Sequence, residues 1–417
     1  MTTINDCCAH GENLLSVPDA LTQLREAGQP VVETELVSLA DAQGRVLAEP
    51  LISGRDIPGF NNAAVDGYAI RAEDLNPQQA TSLPLLGQST AGHASAEALK
   101  PGTTMRILTG AKMPEGADTV VMQEDVEVTD GQVSFPAGVK AGGNWRPRGE
   151  DVANGQAVRP AGLRLRPQDI GMAAAIGCSQ LQVYKALRIA VFSTGDEILE
   201  PGEPLSEDSV YDINRYMLRS WLQGMGCAVT DLGILPDQYD AVQRALTEAA
   251  TNHDVIMTSG GASTGDTDHI ADVLSAEGTM NFWRLAMKPG KPLTLGQLGN
   301  ARFVGLPGNP VAVGVCFLRF AYPLLCTLSG QEWPEPRSYQ IPAAFSMKKK
   351  AGRTEFVRSV LQQSEEGLRV SSYAKQGSGV LSSLVEADGL VELAEDLTQV
   401  EEGDLLTFFP FDQFGFM

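Results

Sequence analysis

Three loops between Asp254 and Val315 gather residue types suited to binding an oxyanion. They are Ser259-Gly260-Gly261-Ala262-Ser263-Thr264-Gly265-Asp266-Thr267-Asp268, Lys288-Pro289-Gly290-Lys291-Pro292 and Pro307-Gly308-Asn309-Pro310. In the first, Gly260, Gly261 and Gly265 strip side chains from the backbone, so a ligand can approach the main chain closely. Asp266 and Asp268 cannot both serve one helix cap, and a second acid beside an anion-binding turn needs a cation to offset it. Mg²⁺, which takes a few carboxylate oxygens together with phosphate and water, fits that need. In the second loop the prolines fix φ and Gly290 allows the bend, so Lys288 and Lys291 sit on a stiff turn, with Arg284 just before it. Most basic residues elsewhere read as ordinary solvated charges. In the third, Asn309 suits an N-cap and Pro310 the first helical position, which aims a helix N-terminus at the same place. The chemistry these loops suit is that of a phosphorylated or oxyanionic ligand held with a hard metal ion.

Other turns offer weaker signals. Ser193-Thr194-Gly195-Asp196-Glu197 ends an apolar run; its hydroxyls and N–H groups can bond a phosphate or a pterin edge. Asp196 and Glu197 can bind a metal or merely cap the next segment. Asp237, after Gly233-Ile234-Leu235-Pro236, carries the same two readings. Further upstream, Asp56-Ile57-Pro58-Gly59 through Asp66-Gly67-Tyr68-Ala69, Thr109-Gly110-Ala111 and Arg146-Pro147-Arg148-Gly149-Glu150-Asp151 each place a carboxylate or hydroxyl on a glycine-rich turn. Plain turn chemistry explains any one of them equally well.

The elements that must position these loops alternate between strand and helix. Leu187–Ser193 reads as a strand, the spacing of Met217, Leu218, Trp221, Leu222 and Met225 as a helix, Cys227–Leu235 as a strand, Tyr239–Thr251 as a helix and Asp254–Ser259 as a strand. This predicts a doubly wound α/β domain with a parallel sheet at about 182–332, whose ligand edge lies at the carboxyl ends of the strands. Residues 53–155, rich in Gly, Pro and short β-branched runs, predict a β-rich insertion domain. Residues 335–417 predict a small β-barrel or sandwich. The flanks at 15–52 and 156–181 form a helical linker region, with helices at Leu14–Ala27 and Pro167–Gly177.

Composition excludes several classes. The chain has 417 residues, 43% hydrophobic and 20% charged, and a net charge of −21, so nucleic acid and anionic membrane are disfavoured as partners. The longest apolar segment, Val311–Leu328, is interrupted by Arg319 and Pro323 and reads as a buried helix rather than a membrane span. Residues 1–10 carry no signal-peptide pattern, there is no Cys-x-x-Cys pair, and only four histidines occur. We expect a cytoplasmic protein whose chemistry does not lean on Cys or His.

In order and spacing, these motifs resemble the MoeA family of molybdopterin molybdenumtransferases, which includes the gephyrin E domain, from about Leu14 to Pro410. The resemblance implies four regions per subunit: a helical linker, a β-rich insertion, a molybdopterin-binding α/β domain and a C-terminal β-barrel. It also implies an elongated homodimer whose active site lies where the α/β domain of one subunit faces the insertion of the other. The implied reaction takes adenylylated molybdopterin and molybdate, inserts molybdenum at the dithiolene and releases AMP, with Mg²⁺ required. Protein partners implied are the molybdopterin adenylyltransferase and molybdoenzyme-maturation proteins.

By motif, Asp66, Thr109, Asp151, Glu197, Asp237 and Asp268 take catalytic roles, the first three reaching in from the partner subunit. Asp196, Glu197, Asp266 and Asp268 take the metal. Substrate is left to Ser193, Thr194, Gly195, Gly260, Gly261, Ser263, Gly265, Arg284, Lys288, Lys291, Pro307, Asn309, Pro310, Arg353 and Ser378. Four positions depart from the family pattern: Ala63 for a common serine, Arg284 for a frequent lysine, Pro147 within an arginine run, and His269 for an aromatic. None removes a central acid or base. A molybdopterin adenylyltransferase is the nearest rival, but its stand-alone form resembles the α/β domain only. A non-catalytic cofactor carrier would not need Asp66, Glu197, Asp268, Lys288 and Lys291 together.

Overall fold

A computed structural model describes residues 14–260, 269–365 and 367–415. The main sheet of the central domain is built from β1 (Arg188–Thr194), β2 (Ala228–Leu235), β3 (Val255–Ser259), β4 (Gly278–Arg284), β5 (Pro292–Leu298) and β6 (Ala301–Leu306). They form one sheet in the order β2-β1-β3-β6-β5-β4. β2, β1, β3 and β6 run parallel, as strand–helix alternation predicts. The remaining two strands depart from the parallel expectation: β5 pairs antiparallel with both β6 and the edge strand β4. No helix separates β4, β5 and β6, and strands joined by short turns can only pair antiparallel.

The continuous apolar run of β1 reflects burial on both faces. Ile189 and Val191 point into a core that includes Leu218, Trp221 and Leu222 of the helix Asn214–Gly224. Ala190 and Phe192 point into a second core with Val242 and Leu246 of the helix Tyr239–Asn252 and Ile270 and Val273 of His269–Glu277. The helical run Pro310–Leu328 is long and apolar enough to cross a membrane, yet 89% of it is buried inside the protein, where it packs as a core helix with a π-helical stretch at Phe317–Ala321.

The insertion is a six-stranded sheet in the spatial order Thr119–Met122, Gly67–Ile70, Thr104–Ile107, Thr81–Ser89, Gln132–Phe135, Glu127–Thr129. The linker region holds the expected helices, Val17–Ala27 and Pro167–Ala175, but also an antiparallel strand pair, Thr34–Ser38 with Gln180–Tyr184. In the C-terminal region, Gly367–Ser372, Thr354–Ser364, Gly389–Leu393, Leu405–Pro410 and Tyr339–Pro342 pair in turn. A bridge between Ala343 and Val370 brings the last strand back to the first, closing a small barrel.

Candidate active site

Register brings the carboxyl ends of the parallel strands level: Thr194 lies beside Leu235, Ser193 beside Ser259, and Ser259 beside Leu306. The loops that leave these ends therefore share one edge. From β1 come buried Ser193 and Thr194, then Gly195 and the exposed Asp196 and Glu197. A Cβ on Gly195 (φ +141°) would lie 2.7 Å from Glu197 Oε2, so only glycine lets this carboxylate fold back over its own turn. From β2 comes the exposed Asp237, and from β3 Gly260, whose N–H donates to the Leu306 carbonyl (3.1 Å). From β6 come buried Pro307, exposed Gly308 and Asn309, then Pro310 at the head of the helix. Asn214 Nδ2 donates to the Gly308 carbonyl (2.6 Å), tying the end of the β1 loop to the β6 loop. Ser193 Oγ, Thr258 Oγ1 and Asn214 Oδ1 are buried here without a hydrogen-bond partner among the described residues.

The lysine turn and the barrel close one side of this edge. Leu285 N–H donates to the Lys291 carbonyl (2.7 Å), fastening the turn. At Gly290 (φ +90°) a Cβ would meet Cys316 Sγ at 2.7 Å, which shows how tightly the turn lies on the helix that follows Pro310. Met287–Lys288 pairs parallel with Thr354–Glu355 of the barrel, and Lys288 Nζ contacts Glu355 Oε2 at 3.2 Å. Lys291 and Arg284 are exposed, and Arg353 is half-buried directly before that barrel strand. Ser378 approaches from another barrel loop, its carbonyl accepting the Val311 N–H (3.1 Å). Asn309 is the N-cap residue and Pro310 opens the helix, as expected, but the Val311 N–H is used within the chain and, among the described residues, the Asn309 side chain makes no capping bond.

A second cluster forms on the insertion, where three motifs that are far apart in sequence converge. Asp66 Oδ1 accepts from both the N–H and the hydroxyl of Thr109 (2.7 Å each), which holds its carboxyl below the usual carboxylate range. Gly110 N–H donates to Ala63 (2.8 Å), and Ala63 lies beside Trp145 in a short antiparallel pair. Asp151 is exposed, its N–H bonded to the Ile57 carbonyl (2.9 Å). Among the described residues no hydrogen bond or ion pair joins 53–155 to the central or C-terminal domain, so none links Asp66, Thr109 or Asp151 to the sheet-edge loops.

Gly261, Ser263, Gly265, Asp266 and Asp268 lie outside the described residues. Among those described, no three His, Cys, Asp or Glu side chains gather as a metal site. Asp196, Glu197 and Asp237 are exposed at the sheet edge and form no ion pair among the described residues. Burial pushes the Cys316 and Cys326 thiols up to about 12, so they stay protonated and unreactive.

Sequence reading missed two supporting arginines. Arg215 is buried and bonds Asp212 (2.8 Å), Asp231 (2.5 Å) and Glu200, bracing the loop that carries Asp196 and Glu197. Arg358, also buried and lowered by that burial to about 10, donates to Ser383 Oγ (3.1 Å) and to the Phe356 and Gly377 carbonyls (3.1 and 3.4 Å), beneath the loop that carries Ser378. The partners of both arginines lie on different elements, and only a faint local signal, an arginine inside an apolar pattern, marks either one.

Residues 15–177 match the MoeA N-terminal region (domains I and II), 190–327 a probable molybdopterin binding domain, and 340–411 the MoeA C-terminal region (domain IV). The chain is 38% identical over 402 residues to a molybdopterin molybdenumtransferase of Haemophilus influenzae, covering 96% of this chain and 99% of that one. It is 34% identical to molybdopterin molybdenumtransferase 2 of Mycobacterium tuberculosis, covering 93% and 96%. Its fold is similar to the crystal structure of the molybdopterin biosynthesis MoeA protein of Pyrococcus horikoshii, with a TM-score of 0.83, 28% identity, and 96% and 100% of the two chains covered. Matched from end to end at this level, the chain belongs to the MoeA family of molybdopterin molybdenumtransferases.

Proposed function

We propose that the chain acts in molybdenum cofactor biosynthesis as a molybdopterin molybdenumtransferase, taking adenylylated molybdopterin and molybdate and releasing AMP. The observation that carries this reading is the full-length match to named molybdenumtransferases, insertion and barrel included. A stand-alone adenylyltransferase would need neither part.

The phosphoanhydride and pterin belong at the sheet edge. Ser193, Thr194, Gly195 and Gly260, with Gly261, Ser263 and Gly265, supply hydroxyl and N–H donors there. Arg284, Lys288, Lys291, Arg353 and Ser378 face molybdate and phosphate, and Pro307, Asn309 and Pro310 shape the opposing wall. Mg²⁺ suits the all-oxygen donor set of Asp196 and Glu197 with Asp266 and Asp268; when bound it offsets charge on the phosphates. Asp237, exposed and without an ion pair among the described residues, is suited to take a proton from a water attacking the anhydride as AMP leaves. Asp66, Thr109 and Asp151 complete the site from the partner subunit of a homodimer, which fits the lack, among the described residues, of any hydrogen bond or ion pair between them and the sheet edge. The working compartment is the cytoplasm, where the adenylyltransferase and molybdoenzyme-maturation proteins would supply the substrate and take the product.

The test is AMP release by the purified protein with adenylylated molybdopterin, omitting Mg²⁺ or molybdate in turn. Release should need both, and Asp268→Asn should slow it by about 10²-fold or more, the loss expected for one preorganised electrostatic group. Equal release without either addition, or an unimpaired Asp268→Asn, would contradict the reading.

A further inference from the structure

The turn Arg148–Asn154, which presents Asp151, is pinned along its length by the segment Asp56–Asn61. Arg148 N–H donates to Asn61 Oδ1 (2.8 Å), Gly149 N–H to the Pro58 carbonyl (3.0 Å) and Asp151 N–H to the Ile57 carbonyl (2.9 Å). One side chain grips both ends. Asp56 Oδ2 accepts from Arg148 Nε, and Asp56 Oδ1 accepts from the Asn154 N–H (2.8 Å). The Asp56 side chain is only 18% exposed, whereas that of Arg148 is 63% exposed. Gly149 closes over it: a Cβ there would lie 3.3 Å from Asp56 Oδ1. The seven-residue turn from Arg148 to Asn154 is thus clamped at both ends by one carboxylate, with the exposed Asp151 at its centre.

We infer that Asp56 is a positioning residue for molybdenum insertion, fixing the turn that delivers Asp151; this rests on the role proposed above for Asp151. Both Asp56 oxygens face the turn they hold, and the side chain is largely buried against it. The Asn154 N–H and Arg148 keep its carboxyl below the usual carboxylate range, so it stays ionised wherever the enzyme works. Asp56→Asn retains an oxygen for Asn154 but turns an amide donor toward the Arg148 guanidinium. The clamp opens at one end without a change in volume, and misplacing a reacting group by an ångström costs up to about 10²-fold in rate.

The experiment measures steady-state AMP release, with the melting temperature, for the wild type, Asp56→Asn, Arg148→Ala, their double variant and Asp151→Asn. Asp56→Asn should lower kcat about 10- to 100-fold with KM for adenylylated molybdopterin nearly unchanged and melting preserved, the pattern of a lost transition-state arrangement. The double variant should be no worse than the poorer single, because both changes release the same turn. If Asp151→Asn is impaired but Asp56→Asn turns over like the wild type, Asp56 has no positioning role. If Asp151→Asn is unimpaired, the role given to Asp151 fails and the inference with it. Additive losses, or a loss matched by a fall in melting temperature, would make Asp56 a structural residue only and overturn the proposal.

Discussion

Lys288 and Lys291 share one stiff turn but stand in different electrostatic settings. Lys288 leans on Glu355, whose side chain is 8% exposed, while Lys291 is exposed with no ion pair among the described residues. Removing either ammonium should raise half-saturating molybdate by about 10- to 100-fold, the worth of a charge-assisted hydrogen bond. Only Lys288→Ala should also lower the melting temperature, because it strands a buried carboxylate. Titrating molybdate against AMP release in both variants, with thermal melts alongside, checks this; identical half-saturation in wild type and variants would show two ordinary surface charges. Affinity should also weaken as salt rises, since the chain's net charge of −21 makes this cluster a local exception. The lysine pair was readable from Lys-Pro-Gly-Lys-Pro itself. Glu355 was not, since 67 residues separate it from Lys288 and only the docking of the barrel brings them together.

At the scale of elements, much depends on how the linker region is fastened. Asp169, fully buried near the start of the helix Pro167–Ala175, accepts from the Arg166 side chain and N–H (2.9 Å each) and from Arg159. The Arg166 bond, with Arg159 beside it, holds the Asp169 carboxyl far below its ordinary value. A carboxylate depressed in the folded state stabilises fully above its unfolded value of about 3.9, and that contribution drains as pH falls below it. Thermal melts of Asp169→Asn between about pH 2 and 6 should therefore lose part of the wild type's steepening below about pH 4. Parallel curves for the two proteins would show that Asp169 carries no such linkage. Strands such as β1 and β3 were readable because both faces are buried and their sequences run apolar without a break. β4 and β5 were harder to place, since direction depends on connection length rather than composition. The strand pair Thr34–Ser38 and Gln180–Tyr184 escaped reading because each strand is only five residues long and its partner lies far away in the chain.

Over the whole molecule, the described residues divide the candidate chemistry between two places: the sheet edge flanked by the barrel, and the Asp66, Thr109 and Asp151 face of the insertion. A C2 dimer can bring the two together twice, once at each of two equivalent sites. Neither cluster needed the structure to be noticed, because each announces itself as glycine-rich turns bearing acids or hydroxyls. What sequence could not convey is how Asp66, Thr109 and the turn bearing Asp151 are held within the insertion, a matter of tertiary packing. The central claim, that each working site draws on both subunits, is tested most directly by mixing two crippled proteins. Asp66→Asn damages the insertion face and Asp237→Asn the sheet edge, so a hybrid dimer keeps one undamaged site. After dissociation and random reassociation of equal amounts, AMP release should recover to about a quarter of the wild-type rate, since half the dimers are hybrids with one good site in two. Recovery no greater than the sum of the two separate variants, with light scattering confirming that hybrid dimers formed, would contradict the account.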